Sequence, residues 1–287
     1  MDVSVIICTW NRAESLRRCL DSLTQLIIPE GLNWEVIVVN NRSTDNTGEV
    51  AESFQRILPL SLVWEPLLGH STSRNTGILK SCGKLILFTD DDVIVHPNWL
   101  SEMAISSREH PSVGIFGGPI YPQFEEERGN LLKNLTESFF DGFLLRRNFG
   151  NKARFLEILE SPFGANMAFR RRVFNCLKFD ACLGLKGQNS IRGDETDLIE
   201  RARQLGEVVL WVPEAKVNHV IPAKRISYSE CGRYFWGIGR THSLLEKPFF
   251  FPRLSSFTLF GFWAQLHFLL GYWFQFLEGG RTQRESF

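Results

Sequence analysis

The sequence predicts an α/β fold with a mostly parallel central β-sheet flanked by helices. Short runs rich in β-branched residues alternate with segments of helical periodicity over residues 3–89. Clusters of polar side chains follow three of the predicted strands, at residues 8–12, 40–45 and 90–92. Ligands of such folds bind beyond the carboxyl ends of the strands, so we expect these clusters to form one site.

Hydrophobic spacing and capping residues define the individual elements. The first helix is indicated by Leu16, Leu20 and Leu23 at helical spacing, and Ser43 or Thr44 can cap the second, which ends near Ile57. The other elements predicted from their patterns are strands at 3–7, 35–39, 60–64, 85–89 and 208–212, and helices at 71–81, 131–145 and 196–206.

The composition is that of an ordinary globular protein. Its 287 residues are 44% hydrophobic, and 32 basic side chains balance 32 acidic ones. A formal net charge of zero gives no overall attraction to nucleic acid, so we expect no nucleic-acid partner. The six cysteines form no C-x-x-C pair, which predicts reduced, buried thiols and neither a disulfide nor a zinc site. The N-terminal residues lack the features of a secretory signal, so we expect a cytosolic chain.

Three consecutive carboxylates, Asp90, Asp91 and Asp92, directly follow an apolar predicted strand. Like charges this close repel each other unless a cation or hydrogen-bond donors compensate them. Mg²⁺ and Mn²⁺ prefer oxygen ligands and commonly bridge a carboxylate to a substrate's phosphates. The run predicts a divalent-cation site that stabilises a diphosphate leaving group. The alternative is a solvated acidic turn that caps a helix near Asn98.

A second acidic cluster, at residues 193–197, precedes a predicted helix. An acidic helix N-terminus favoured by the helix dipole is the alternative to a functional role. That alternative explains one carboxylate better than the three that occur here. The cluster is therefore a second candidate for catalysis.

These clusters occur in a fixed order with further motifs. The matching stretches are residues 5–12, 38–45, 69–77, 88–92, 163–170 and 193–201. Together they make residues 3–220 resemble the family 2 nucleotide-sugar glycosyltransferases of the GT-A fold. The resemblance implies a Rossmann-like nucleotide-binding half, a nucleotide-diphosphate sugar donor and transfer of the sugar to an acceptor hydroxyl.

The resemblance places the donor's base near Cys8, Trp10 and Asn41, and implies that Trp10 stacks on it. The family often carries Asp where this chain has Asn41. An amide offers both a donor and an acceptor, which suits uracil or thymine better than guanine and favours a UDP or dTDP sugar. The alternative for Asn40 and Asn41 is simple turn chemistry.

By the same resemblance, Asp90 contacts the ribose or base, Asp91 supports the site and Asp92 is the metal ligand. His219 matches a position where some relatives complete the metal's coordination, and a structural histidine is the equal alternative. Arg74 is expected near the diphosphate, or else as a solvated arginine on a helix face.

The resemblance assigns the catalytic base to the second acidic cluster. Glu195 is the first candidate, and Asp194 stays an alternative because the usual order of Glu before Asp is reversed here. The base would take the proton of the acceptor hydroxyl, whose oxygen displaces the metal-bound diphosphate with inversion at the anomeric carbon. Asn166 would face the donor sugar or the acceptor, unless it caps a turn.

Three regions are expected: a nucleotide-sugar-binding half of the GT-A domain at 1–122, an acceptor-binding and catalytic-base half at 123–220, and a C-terminal helical extension at 221–287. Within the extension, residues 257–277 are apolar and aromatic, carry no formal charge and have basic flanks. A helix of that length would be roughly 30 Å long, about the thickness of a bilayer core. Spanning the membrane, lying on it and packing as a buried helix stay open.

These features predict a glycan or lipid-linked acceptor, a place at the inner face of the cell membrane, and a role in polysaccharide or glycolipid synthesis. One alternative is a non-catalytic sugar- or partner-binding module on a decayed fold. Another is a sugar-phosphate nucleotidyltransferase, which the lack of a Gly-rich phosphate loop in the sequence disfavours. Donor turnover with a divalent metal discriminates between them.

Overall fold

The structure is a computed structural model that describes residues 1–125, 142–187, 190–245 and 265–275. The chain forms two compact units. The first unit comprises Met1–Gln123, Leu145–Ala181 and Asp194–Val220, and the second comprises Phe124–Leu144, Cys182–Gly193 and Ile221–Phe287.

Strands and helices alternate over residues 3–90, as the sequence predicts for this part of the chain. The strands are β1 (Val3–Thr9), β2 (Trp34–Asn40), β3 (Leu60–Trp64), β4 (Leu85–Asp90), β5 (Val93–Val95), β6 (Ile115–Gly117), β7 (Ile120–Phe124), β8 (Arg154–Phe155), β9 (Met167–Arg170), β10 (Val209–Trp211) and β11 (Val217–Ile221). The helices are α1 (Ala13–Leu23), α2 (Thr47–Ser53), α3 (His70–Lys80), α4 (Trp99–Glu109), α5 (Asp194–Gln204), α6 (Tyr228–Leu244) and α7 (residues 265–275).

The first unit is built on a mixed sheet. In the described residues it has eight strands in the order β3-β2-β1-β4-β9-β6-β10-β8. Strands β3, β2, β1 and β4 are parallel, as are β10 and β6, whereas β9 runs antiparallel to both β4 and β6. The predicted mostly parallel sheet is therefore confirmed.

The strand register brings the polar clusters to one edge of this sheet. Cys8 of β1 lies opposite Asp90 of β4, and Thr9 lies opposite Asn40 of β2. The carboxyl ends of three parallel strands therefore lie side by side. The clusters that follow them meet there, as expected.

Both faces of the sheet are buried. Alternate residues of a strand point to opposite faces, so Val5 and Val36 belong to the core that includes α1, and Ile6 and Ile37 to the core that includes α5. Burial on both faces explains why these strands are continuous apolar runs in the sequence.

A second sheet has the strand order β5-β11-β7 within the described residues. Its strand β5 directly follows the acidic run. Strand β11 pairs antiparallel with β5, which puts His219 opposite Val93. The Val220 amide donates to the Asp92 carbonyl oxygen at 2.8 Å. This pairing brings Asp92 and His219 together although they are far apart in sequence.

In the second unit, α6 and α7 pack backbone to backbone. A Cβ added at Gly239 would lie 2.1 Å from the carbonyl oxygen of Phe268, and one at Gly271 would lie 2.1 Å from that of Trp236. Glycine at both positions allows this approach. Within the part of the chain that the structure describes, no helix has both the length and the apolar character to cross a bilayer.

The cap predicted for the second helix is wrong. Helix α2 begins at Thr47 with Asn46 as its N-cap residue. The hydroxyl of Ser43 instead accepts a hydrogen bond from the backbone amide of Asn11 at 2.9 Å. Ser43 and Thr44 therefore join the loops after β1 and β2, which a local capping pattern cannot show.

The prediction that the cysteine thiols are buried is confirmed for only some of the six cysteines. Cys19 and Cys231 are buried, whereas Cys82, Cys176 and Cys182 are exposed. The exposed cysteines lie outside the regular strands and helices, where the strand and helix periodicity that predicts burial does not apply.

Two predicted segments fall partly outside the described residues. For the helix expected at 131–145, residues 131–141 lie outside them. For the apolar segment at 257–277, residues 265–275 are described and helical, and the remainder lies outside.

Candidate active site

The end of β1 and the loop after it bind the acidic run that begins at the end of β4. Asp91 is buried and accepts a hydrogen bond from the Thr9 hydroxyl at 2.7 Å. The Arg12 guanidinium donates to Asp92 Oδ2 at 2.8 Å and lies 3.6 Å from Asp91 Oδ1. Burial raises the pKa of Asp91, and the charge of Arg12 opposes that rise. Arg12 and Thr9 thus supply compensation that consecutive carboxylates require.

Asp92 and His219 form a pair that fits a divalent cation. Asp92 Oδ1 lies 3.4 Å from Nε2 of the buried His219. Neighbouring ligands of an octahedral ion with bonds of about 2.1 Å lie ~3 Å apart, so the spacing suits Mg²⁺ or Mn²⁺. Among the described residues, no three His, Cys, Asp or Glu side chains gather as a complete metal site.

Arg74 of α3 is the centre of a second charged group. Its Nη1 donates to Asp194 Oδ2 at 2.7 Å and lies 3.9 Å from Glu195 Oε2. Its Nη2 lies 3.7 Å from Asp90 Oδ1. Arg74 is buried, so the alternative of a solvated arginine on a helix face is wrong. Arg74 joins the two acidic clusters, and its contact with a diphosphate stays a prediction.

Gly164 makes room for this guanidinium. A Cβ added at Gly164 would lie 2.0 Å from the Nη2 atom of Arg74. The rings of Phe179 and Phe88 lie 5.3 and 5.9 Å from the Arg74 Cζ atom. The arginine therefore sits in a fitted, partly aromatic pocket, which explains how a buried cation keeps one orientation.

Asp194 and Glu195 occupy the first turn of α5. Burial acts to raise the pKa of Asp194, but the charge of Arg74 holds it below its ordinary value. Burial also raises the pKa of Glu195, and the neighbouring Asp194 carboxylate raises it further. Paired carboxylates with pKa values pushed apart in this way serve different roles. Asp194 is the stable anion that pairs with Arg74, and Glu195 is the better proton acceptor.

His70, the first residue of α3, lies between the two acidic clusters. Its Nδ1 is 3.8 Å from Asp194 Oδ2, and its Nε2 is 3.9 Å from Asp90 Oδ1. Burial lowers the pKa of His70, and the nearby charge of Arg74 lowers it further. The neutral imidazole is therefore favoured next to these carboxylates.

Cys8 lies near the end of β1 and Trp10 directly follows that strand, at the edge where the polar clusters meet. Trp10 is 40% exposed, so its ring is accessible for stacking. Cys8 is half-buried, and burial raises the pKa of its thiol, which keeps it neutral. Their contact with a donor base stays a prediction.

Asn41 anchors the loop that precedes α3. Its Nδ2 donates to the carbonyl oxygens of Glu65 and Leu67 at 3.1 and 2.7 Å, and its Oδ1 accepts from the Gly69 amide at 2.8 Å. Both Nδ2 hydrogens are engaged with the backbone. The argument that this amide selects uracil or thymine therefore loses its structural support.

Asn166 is fully buried, and its amide is bound within the protein. Its Nδ2 donates to the carbonyl oxygens of Pro119 and Ala215, and its Oδ1 accepts from the Trp99 indole at 2.8 Å. The expectation that Asn166 faces the donor sugar or acceptor is not met. Its role is to join the segments that carry those three residues.

Sequence reasoning missed Arg12 and His70. Arg12 belongs to the first polar cluster, and the need of three carboxylates for a counter-charge was a signal that could have identified it. The sequence indicates a role for His70 more weakly, because His70 reaches the site only if its helix begins at the edge of the sheet where the polar clusters meet.

Residues 4–178 match the protein-family model described as Glycosyl transferase family 2. The chain belongs to glycosyl transferase family 2.

This family 2 member is similar to several curated proteins. Glycosyltransferase AglE of Haloferax volcanii is 34% identical over 139 residues, which are 48% of this chain and 44% of AglE. The glucosyl-dolichyl phosphate glucuronosyltransferase of the same organism is 26% identical over 246 residues, or 82% of this chain and 75% of that protein. The succinoglycan biosynthesis protein ExoM of Rhizobium meliloti is 24% identical over 255 residues, or 85% of this chain and 75% of ExoM.

Solved structures show the same fold as this family 2 member. Staphylococcus aureus TarS 1–349 in complex with UDP-GlcNAc superposes with a TM-score of 0.59 at 19% identity, covering 87% of this chain and 68% of that one. The mannosyltransferase PcManGT of Pyrobaculum calidifontis, in complex with GDP-Man and Mn²⁺, gives 0.60 at 17% identity, covering 95% and 71%. The GT-A type fold that the sequence predicts is confirmed.

Proposed function

We propose that this chain is an inverting, metal-dependent glycosyltransferase that moves a sugar from a nucleoside diphosphate to an acceptor hydroxyl. The observation that carries the proposal is the pair of carboxylates at the start of α5. Arg74 holds Asp194 as an anion, while Glu195 beside it has a raised pKa suited to a general base. Family membership supports the reaction class.

On the donor side, Asp92 and His219 would hold Mn²⁺ or Mg²⁺. The bound cation would supply positive charge to the departing diphosphate. Arg12 fixes Asp92 from the opposite oxygen, since it donates to Oδ2 while His219 lies near Oδ1. A neighbour of the same fold binds Mn²⁺, which supports this assignment.

On the acceptor side, Glu195 takes the proton of the acceptor hydroxyl while the hydroxyl oxygen attacks the anomeric carbon. Asp194 is the weaker base because its pKa is lowered by Arg74. A single displacement of this kind requires no covalent intermediate and inverts the anomeric centre. A positioned base contributes about a hundred- to ten-thousandfold in rate.

The donor's base stays a prediction. Neighbours of the same fold include complexes with UDP-GlcNAc and with GDP-Man, so the fold is compatible with either class. The expectation of a UDP or dTDP sugar no longer rests on Asn41. Contacts made by Cys8 and Trp10 would have to supply any preference.

For the acceptor we propose a lipid-linked or growing glycan at the cytoplasmic face of the membrane. Two relatives support this class, since one is named for glucosyl-dolichyl phosphate and the other for succinoglycan biosynthesis. A role in polysaccharide or glycolipid synthesis follows from it.

Hydrolysis of the donor tests the reaction class without knowledge of the acceptor. UDP, dTDP and GDP sugars are incubated with the protein and Mn²⁺, and the release of nucleoside diphosphate is measured. We expect slow release from one nucleotide class and its loss in Asp92→Ala. Absence of release from every donor, also with extracts of lipid-linked glycans added, would favour the non-catalytic alternative. The anomeric configuration of a product, read by NMR, tests inversion.

A further inference from the structure

In the second unit, α7 has an exposed apolar face. The residues of this apolar stripe, exposed between 41% and 55%, are Leu266, Leu270, Trp273 and Phe274. Their helical spacing places them on one side of α7. The other side includes Phe268, which is buried in the small core shared with α6.

A cavity of about 420 Å³ lies on α6 and is lined by Ser190, Arg233, Trp236 and Arg240. The two arginines are two helical turns apart on the same face, with the indole of Trp236 between them. Arg233 has 63% of its side chain exposed, and its acidic neighbour is Glu230 at 3.3 Å. This arginine cavity combines guanidinium groups with an aromatic ring, a combination that suits a phosphate ester.

The arginine cavity and the apolar stripe are continuous. The Nε of Arg240 donates to Gln275 Oε1 at 2.8 Å, and its guanidinium lies 5.4 Å from the Phe274 ring centroid. The rings of Trp236 and Phe274 are 5.2 Å apart. One surface of the second unit therefore carries positive charge next to exposed apolar and aromatic side chains.

We propose that this surface docks on the anionic face of a lipid bilayer, with the apolar stripe at the boundary of the acyl chains and the arginine cavity on lipid phosphates. Tryptophan and arginine are side chains that favour the membrane interface. Charge complementarity selects an anionic lipid surface over a neutral apolar partner. The inference rests on the proposed function for its membrane partner, but lipid binding requires no turnover and is tested separately.

Vesicle co-sedimentation of the full chain tests the proposal. The vesicles contain phosphatidylcholine alone or phosphatidylcholine mixed with phosphatidylglycerol. We expect binding to the mixed vesicles, a loss of about fivefold in Arg233→Gln and a loss of about tenfold in Trp273→Ser. The matched controls are Arg56→Gln and Trp64→Ser, which alter exposed side chains of the first unit and should bind as the unaltered chain does.

Sedimentation of Arg233→Gln and Trp273→Ser equal to the unaltered chain would overturn the proposal, as would failure of the unaltered chain to bind the mixed vesicles. A titration with inorganic pyrophosphate separates the sources of phosphate. Pyrophosphate binding that is lost in Arg233→Gln, without vesicle binding, would assign the cavity to a soluble phosphate and would also contradict the proposal. Nucleotide titration of the same samples reports on the donor site. Failure of the lipid-binding proposal is therefore distinguishable from failure of the proposed function.

Discussion

Arg74 and Asp194, which are 120 residues apart in the sequence, form a buried ion pair in which Nη1 lies 2.7 Å from Oδ2. The same guanidinium lies within 4 Å of Asp90 and Glu195. It is therefore the cation that joins the two acidic clusters. Its charge lowers the pKa of Asp194 and leaves Glu195 as the carboxylate able to accept a proton.

Removal of Arg74 should strongly destabilise the protein. Breaking a buried ion pair by removing one partner leaves an uncompensated charge and costs about 3–5 kcal/mol, so we expect that loss in Arg74→Met at neutral pH. Urea unfolding measures it. Arg17→Met is the matched control on a solvent-exposed helix face, where the pair with Glu14 at 4.0 Å should contribute less than about 1 kcal/mol.

The Arg74–Asp194 pair also predicts how stability depends on pH. The folded pKa of Asp194 is below its unfolded value of about 3.9, so the contribution of the pair is fully present above that value. It is lost as the pH falls through the folded pKa. In Arg74→Met this acid-dependent loss should be smaller. An equal acid dependence in both proteins would contradict the pairing.

Loss of the Glu195 carboxylate should slow transfer strongly without abolishing donor binding. In Glu195→Gln we expect the rate to fall by about a hundred- to ten-thousandfold, because the base is gone. The affinity for nucleotide should change little. Asp197→Asn is the control on the same helix, since that carboxylate pairs with Arg201 and should be dispensable for the chemistry. An unchanged rate in Glu195→Gln would instead assign the role of catalytic base to Asp194.

The rate of transfer should rise with pH through the titration of Glu195. The deprotonated form is the active one, and burial together with Asp194 raises its pKa. The midpoint should therefore lie above the ordinary glutamate pKa of about 4.3. A pH profile of kcat measures it. A rate that is already at its plateau at the ordinary glutamate pKa would contradict the assignment of Glu195 as base.

His219 should contribute to metal affinity. In His219→Gln we expect Mn²⁺ to bind at least about tenfold more weakly in the presence of nucleotide. Electron paramagnetic resonance of free Mn²⁺ measures this without turnover. His110→Gln is the control, because that imidazole bonds to the Ser106 carbonyl oxygen. Unchanged Mn²⁺ affinity in His219→Gln would leave a structural role for His219.

Asn41→Asp separates an anchoring role from base recognition. A carboxylate cannot donate to the carbonyl oxygens of Glu65 and Leu67, so we expect a loss of about 1–3 kcal/mol in stability. Asn98→Asp, at an exposed N-cap position, is the control. A change of nucleotide preference at unchanged stability would restore the hypothesis that Asn41 reads the base.

The parallel sheet and the position of its site could be predicted because they depend on local signals. Hydrophobic runs define β1, β2 and β4, and parallel strands bring their carboxyl ends together. Asp90, Asp91 and Asp92 were identified in the same way. The proximity of His219 to Asp92 depends on pairing between β5 and β11, which local residue patterns do not reveal. His219 was identified through the family resemblance alone.

The burial of Arg74 and Asn166 could not be predicted from local patterns. Arg74 is on a helix whose exposed face cannot be assigned without knowing that Gly164 leaves space beside it. Asn166 looks like a polar turn residue, yet it joins three segments through its amide. In both cases the decisive partners are more than 40 residues away in sequence.

Isothermal titration with UDP, dTDP and GDP, each with and without Mn²⁺, tests the central claim most directly when it is repeated on Asp92→Ala. We predict that one nucleoside diphosphate binds in a manganese-dependent manner and that the dependence is lost in Asp92→Ala. Absence of binding by all of them, or manganese-dependent binding that Asp92→Ala retains, would contradict the proposed donor site.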